Sequence, residues 1–143
     1  MARDSIPTLD LREYTNGDDE TRTAFIEKMG AALEDIGFFA LTGHGIPLGD
    51  IDLAYEVSET FFNLDQDVKD HWNQANNQRG YVPFGVEHAK SNPAPDLKEF
   101  WQTGRTLPDG HPLKESYPQN IWPDRDCPEF GPAIDGLYIQ MEA

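Results

Sequence analysis

Four histidines, one cysteine and 26 carboxylates are the groups with which this chain of 143 residues could do chemistry, and their spacing decides how much. An open non-haem iron site takes two His and one carboxylate. Its usual trace in sequence is His-x-Asp or His-x-Glu on a strand, where residues i and i+2 share a face. Two residues beyond His44, His71, His88 and His111 stand Ile46, Asn73, Lys90 and Leu113, none of them acidic. The reverse order occurs once, as Asp109-Gly110-His111, inside turn-forming sequence. Zinc finds neither His-Glu-x-x-His nor a cysteine pair. Cys127 lies in Arg125-Asp126-Cys127-Pro128; the neighbouring Asp disfavours a thiolate unless Arg125 offsets it, so packing is the simpler role. Gly43-His44-Gly45 lacks the third glycine of a phosphate loop, and no Gly-x-Ser-x-Gly is present. No catalytic and no metal-ligating residue is assigned.

One segment does have the make-up of a pocket wall. Arg79-Gly80-Tyr81-Val82-Pro83-Phe84-Gly85-Val86-Glu87 mixes a cation, aromatics and permissive glycines, and Lys98-Glu99-Phe100-Trp101 repeats the mixture. Gly80 and Gly85 would let backbone approach a ligand or a strand closely. Arg79 could clamp a carboxylate with two parallel hydrogen bonds. The competing reading is a surface hairpin in which Arg79 pairs with Glu87 or Glu99, and both stay open.

The elements that must position these residues follow from periodicity. Ile6 to Leu11 reads as a strand with Pro7 at its start or on an edge. Asp18 or Asp19 can cap a helix over 19–36, in which Phe25, Ile26, Met29, Ala32, Leu33 and Ile36 recur at helical steps on one face. Gly37 ends it. The apolar run 38–42 has strand length and reads as buried on both faces. A second helix, 49–62, turns Ile51, Ala54, Val57, Ser58, Phe61 and Phe62 inward, and a short polar helix over 66–73 follows. A polar loop covers 73–78. Residues 79–105 read as strand-rich, with Leu97, Glu99, Trp101 and Thr103 on one face. Residues 106–128 are a Pro-rich connection, and 129–143 start a long helix striped with Phe130, Ile134, Leu137, Tyr138 and Met141. Phe61, Phe62, Trp72 and Trp122 are assigned to core contacts.

Composition narrows the function classes. Lys and Arg total 11 against 26 acidic residues, a net charge of −15, so a phosphate backbone is no partner. No window holds the roughly 18 apolar residues of a membrane span, and the start lacks a secretion signal. The length suits one domain, and a cytoplasmic protein is expected.

The landmarks also come in a recognisable order: Ile6-Pro7-Thr8-Leu9-Asp10-Leu11, then Gly37-Phe38-Phe39 running to His44-Gly45-Ile46-Pro47, then Phe61-Phe62-Asn63-Leu64 with Lys69. Arg79-Gly80-Tyr81, Asp96 to Phe100 and Asn120-Ile121-Trp122-Pro123 follow. In this the chain resembles the N-terminal region of the isopenicillin N synthase-like family of Fe(II)/2-oxoglutarate-dependent oxygenases. The resemblance implies an α+β fold over residues 1–143, helices and a few strands packed around a jelly-roll core that is itself missing here. It implies that iron is held by His-x-Asp and a distant His, and 2-oxoglutarate partly by Arg-x-Ser, all in the C-terminal half. This chain alone would then bind no cofactor and be inactive, whereas the whole protein would use Fe(II) and 2-oxoglutarate to oxidise a small organic substrate. The C-terminal jelly-roll half is expected in the same chain, and the helix at the end of the sequence reads as cut. Arg79, Tyr81, Lys98 and Glu99 become candidates for substrate contact or for positioning the pocket; His44 falls in a turn motif with a structural role. Two other readings compete: a non-catalytic protein-binding module that keeps this fold, and a separate chain that supplies the jelly roll.

Overall fold

The computed structural model describes residues 5–74, 78–88, 90 and 94–142. The expected loop at 73–78 therefore lies partly outside the described residues, as do four positions of the 79–105 segment and the last residue of the terminal helix. The chain forms two compact units, Met1–Gly45 and Ile46–Ala143.

In the first unit, β1 (Thr8–Asp10) pairs in parallel with β2 (Ala40–Thr42), with Leu9 opposite Leu41. Pro7, which has no N–H to give, stands just before the strand and accepts from the Ala40 amide at 2.8 Å. The strand ends before Leu11 because Asp10 turns into a cap: its carboxylate accepts from the Arg12 amide at 3.0 Å and opens α1 (Leu11–Thr15). Asp18 caps α2 (Asp19–Asp35) by accepting from the Thr21 amide at 2.9 Å. Gly37, at φ +93°, closes it with its amide on the Ala32 carbonyl.

Two expectations need correction in this unit. The apolar face of α2 is narrower than its sequence stripe: Phe25 and Ala32 are buried, while Ile26 and Leu33 are half exposed. Residues 25 and 32 are seven apart and superimpose along the helix, whereas 26 and 33 lie about 100° further round. The run 38–42 is not buried on both faces either. All three residues of β2 are exposed, because a two-stranded sheet supplies one neighbour and no second layer.

The second unit is built on α3 (Leu48–Phe62), which packs against α5 (Phe130–Glu142). Ala54, Val57 and Phe61 form the buried edge of α3. Between these helices in sequence come α4 (Gln66–Asp70), the antiparallel pair β3 (Gly80–Val82) and β4 (Phe100–Gln102), and a 3₁₀ turn, Lys114–Ser116. Helix α4 stops short of the expected 73, and the strands in 79–105 are three residues each. Phe61 is the centre of the core. Its ring lies 4.9 Å from Trp101, 5.3 Å from Phe130 and 5.9 Å from Tyr81, in the tilted and edge-on geometries that aromatic quadrupoles favour. Cys127 closes the cluster, and burial pushes its thiol up, away from reactivity. Among the described residues no helix is long and apolar enough to cross a membrane.

Candidate functional site

Register places the four candidate residues on or beside one two-stranded ribbon. Tyr81 faces Trp101 across β3 and β4, and continuing the pairing by one step sets Arg79 against Thr103. Alternation then puts Arg79, Tyr81, Trp101 and Thr103 on the same face, with Glu99. Gly80 makes the ribbon possible: at φ +84° its missing side chain leaves room for the Trp72 carbonyl, 2.5 Å from where a Cβ would stand.

Beneath the ribbon is a buried polar network. Lys69, 5% exposed, reaches from α4 to Glu99 (Nζ–Oε2 2.8 Å, Nζ–Oε1 3.1 Å) and donates a further bond to the Phe62 carbonyl at 3.1 Å. The Tyr81 hydroxyl donates to Glu99 Oε2 and accepts from Gln66 Nε2 at 3.0 Å. Every charge thus has its counter-charge and bonds, the condition under which burying an ion pair is tolerable. Burial first, and the Glu99 carboxylate second, push the Tyr81 hydroxyl up to about 12, so it stays a donor at physiological pH. Two of the four sequence candidates, Tyr81 and Glu99, are therefore brought together and face inward.

Arg79 is held from several sides. Its guanidinium lies 5.4 Å over the Tyr117 ring, Nη1 donates to the Gln78 carbonyl at 2.6 Å, and Nη2 occupies the space that a Cβ at Gly104 would need. It pairs with neither Glu87 nor Glu99, whose cations are Lys98 and Lys69. Among the described residues its buried Nε has no hydrogen-bond partner, nor do Trp101 Nε1 and Thr103 Oγ1. Three orphaned groups on one face of a short ribbon are unusual, since each costs about 1–3 kcal/mol. Lys98 stands apart from this group. It is half exposed, pairs with Glu87 at 3.0 Å and Asp96 at 3.4 Å, and lies 5.2 Å from the Phe100 ring. Its hydrogen bond to Glu87 holds its pKa above the ordinary lysine value.

Two hollows open on this unit. One, of about 390 Å³, is lined by Arg105, Lys114, Tyr117, Asn120, Trp122 and Asp135 among others. The second, of about 370 Å³, is bordered by Gln66, Asp70, Asn73, Pro83 and Phe84. Sequence reasoning missed the first, because 106–128 read as a connection. The readable signal was Asn120: its side chain exchanges two bonds with the Gly104 backbone (2.6 and 3.0 Å) and so folds that stretch back on itself. The buried role of Lys69 was missed as well, because a lysine in a short polar helix reads as a solvated charge.

Two of the four histidines, and the aspartate of the Asp-x-His pair, have local partners. His71 packs edge-on against Trp72, His111 Nδ1 accepts from the Leu113 amide, and Asp109 is paired with Lys114. Among the described residues no group of three or more His, Cys, Asp or Glu could hold a metal ion. The described residues thus do not bring together the donors of an iron centre.

The comparisons with known proteins agree with this architecture. The family described as non-haem dioxygenase in morphine synthesis, N-terminal, matches residues 6–125. The 2-oxoglutarate-dependent dioxygenase frbA of Dothideomycetidae sp. is 28% identical over 96% of this chain and 43% of its own length. The 2-oxoglutarate-dependent dioxygenase tropC of Talaromyces stipitatus is 30% identical over 83% and 39%. A protein of the 2OG-Fe(II) oxygenase family from Caulobacter crescentus superimposes with a TM-score of 0.75 at 35% identity, covering 96% of this chain and 44% of that one. A full-length Neurospora crassa protein, solved in complex with alpha-KG, shares the fold at a TM-score of 0.70 and 24% identity, covering 99% of this chain and 45% of that one. The chain spans about two-fifths of the length of these relatives. It belongs to the non-haem dioxygenase N-terminal family, the N-terminal region of Fe(II)/2-oxoglutarate-dependent oxygenases.

Proposed function

We propose that residues 1–143 form the N-terminal domain of a non-haem Fe(II)/2-oxoglutarate-dependent oxygenase that oxidises a small organic substrate, and that this stretch alone is inactive. The observation that carries the reading is the family match over 6–125 combined with relatives more than twice as long. The iron and 2-oxoglutarate ligands and the jelly-roll core then belong to the C-terminal part of the same chain. The exposed β2 and Phe38 support this, being apolar surface that a further layer would cover.

Within this domain the four candidate residues divide by what they touch. Tyr81 and Glu99 position the ribbon from inside, through Lys69 and Gln66. Arg79, with its orphaned Nε, and the half-exposed Lys98 are the substrate contacts. An anionic or carbonyl group on the substrate suits both.

Reading the transcript past the codon for Ala143 tests this. An in-frame continuation carrying His-x-Asp, a later His and Arg-x-Ser is expected. A stop codon there overturns it, as does stoichiometric micromolar binding of Fe(II) to the 143-residue chain in calorimetry.

A further inference from the structure

We infer that the 390 Å³ cleft in the second unit is a binding site for a small ring-bearing carboxylate. The inference concerns binding by this chain and does not rest on the oxygenase reading. The volume falls in the range of small-molecule pockets, roughly 300–1,000 Å³, and the lining is mixed: its polar groups, Arg105, Lys114, Asn120 and Asp135 among them, outweigh the apolar surface to which Tyr117 and Trp122 contribute.

The charge is the first argument. In a chain of net charge −15 with 11 cations, two of them, Arg105 and Lys114, border this one cleft. Both are held by partners that a ligand can replace. Lys114 pairs with Asp109, whose side chain is fully exposed, and Arg105 pairs with Glu142 in water-accessible geometry at 2.8 Å. Exposed pairs of this kind contribute little, so exchanging an internal carboxylate for a ligand's costs little.

The walls are the second argument. Tyr117 and Trp122 present aromatic surface, and each is backed by a residue with an unsatisfied donor. Trp122 stacks on Trp101 at 6.5 Å and 6°, and Tyr117 covers the Arg79 guanidinium. Among the described residues Trp101 Nε1 and Arg79 Nε have no hydrogen-bond partner. A ligand acceptor that shifts Tyr117 meets the Arg79 guanidinium beneath it. Asp135, on α5, adds an acceptor for a ring hydroxyl.

The three tryptophans give the test its internal control. The Trp72 indole N–H is held by Asp126 at 2.8 Å, the Trp101 indole N–H has no partner among the described residues, and Trp122 lines the cleft. The full chain is titrated with 4-hydroxyphenylacetate and, separately, with the neutral 2-(4-hydroxyphenyl)ethanol, while the indole N–H resonances are followed by NMR. Saturable shifts of Trp122 and Trp101 with a submillimolar Kd for the acid, and a fixed Trp72, are expected. The alcohol binds about tenfold more weakly, the loss of one charge-assisted hydrogen bond. Arg105→Gln abolishes the preference for the acid, and Glu142→Gln tightens acid binding several-fold by freeing Arg105. The absence of saturation overturns the site. Equal binding of acid and alcohol, or wild-type acid binding by Arg105→Gln with Trp72 unmoved, overturns the carboxylate assignment.

Discussion

Lys69→Met is the perturbation that asks most of the structure. It keeps the aliphatic stem and removes the ammonium, so the loss is electrostatic rather than a cavity. Glu99 then keeps the Tyr81 hydroxyl but loses both bonds to Nζ, and the Phe62 carbonyl loses its donor. Removing one partner of a buried pair costs about 3–5 kcal/mol. The Glu99 side chain retains 15% exposure, which places the cost at the low end, about 3 kcal/mol. Trp72, Trp101 and Trp122 all lie in the second unit, so tryptophan fluorescence in urea reports this unit alone. At an m-value of about 1.5 kcal/mol per molar, the midpoint falls by roughly 2 M. The double variant Lys69→Met/Glu99→Leu removes the stranded carboxylate as well and is expected to be no less stable than the single. A loss below about 1 kcal/mol in Lys69→Met, or a double-mutant coupling below about 0.5 kcal/mol, refutes the reasoning.

Other tests reach different parts of the fold. Gly80→Ala should cost about 3 kcal/mol, since a positive φ and a carbonyl 2.5 Å from the new Cβ act together, whereas Gly37→Ala, with open space around it, should cost about 1 kcal/mol. Urea midpoints of the two variants, read by fluorescence for the first and by circular dichroism for the second, decide between them. Ultraviolet titration should leave one tyrosine protonated until about pH 12, lost in Tyr81→Phe. Because the folded pKa lies above the unfolded value near 10, its contribution to stability is complete below pH 10 and disappears as pH rises toward 12. Asp18→Ala should accelerate amide exchange in the first turn of α2 several-fold. Thr21 bonds hold the Asp18 carboxyl below its usual range, so the cap's contribution is complete above that range and is lost as pH falls below it, through the lowered folded pKa.

What was legible in the sequence and what was not separate along a physical line. Helix ends are local: Asp18 and Gly37 act within four or five residues of themselves, so capping chemistry could be read directly. The burial of an apolar stripe is not local. Phe25 and Ile26 are equally apolar neighbours, yet only what packs against α2 decides which one is covered, and the same holds for the exposed β2. The ribbon illustrates both cases. Alternation put Leu97, Glu99, Trp101 and Thr103 on one face; Glu99 and Trp101 do turn inward, Leu97 is exposed, and the partner that makes Glu99 a buried anchor is Lys69, 30 residues earlier in a polar helix. A lysine there reads as a solvated charge until the tertiary fold closes over it. Arg79 went the other way: its obvious carboxylate partners were close in sequence, and the fold gave both to other lysines. That reassignment leaves a guanidinium over Tyr117 whose Nε has no partner among the described residues, an arrangement compatible with the substrate contact proposed for this arginine.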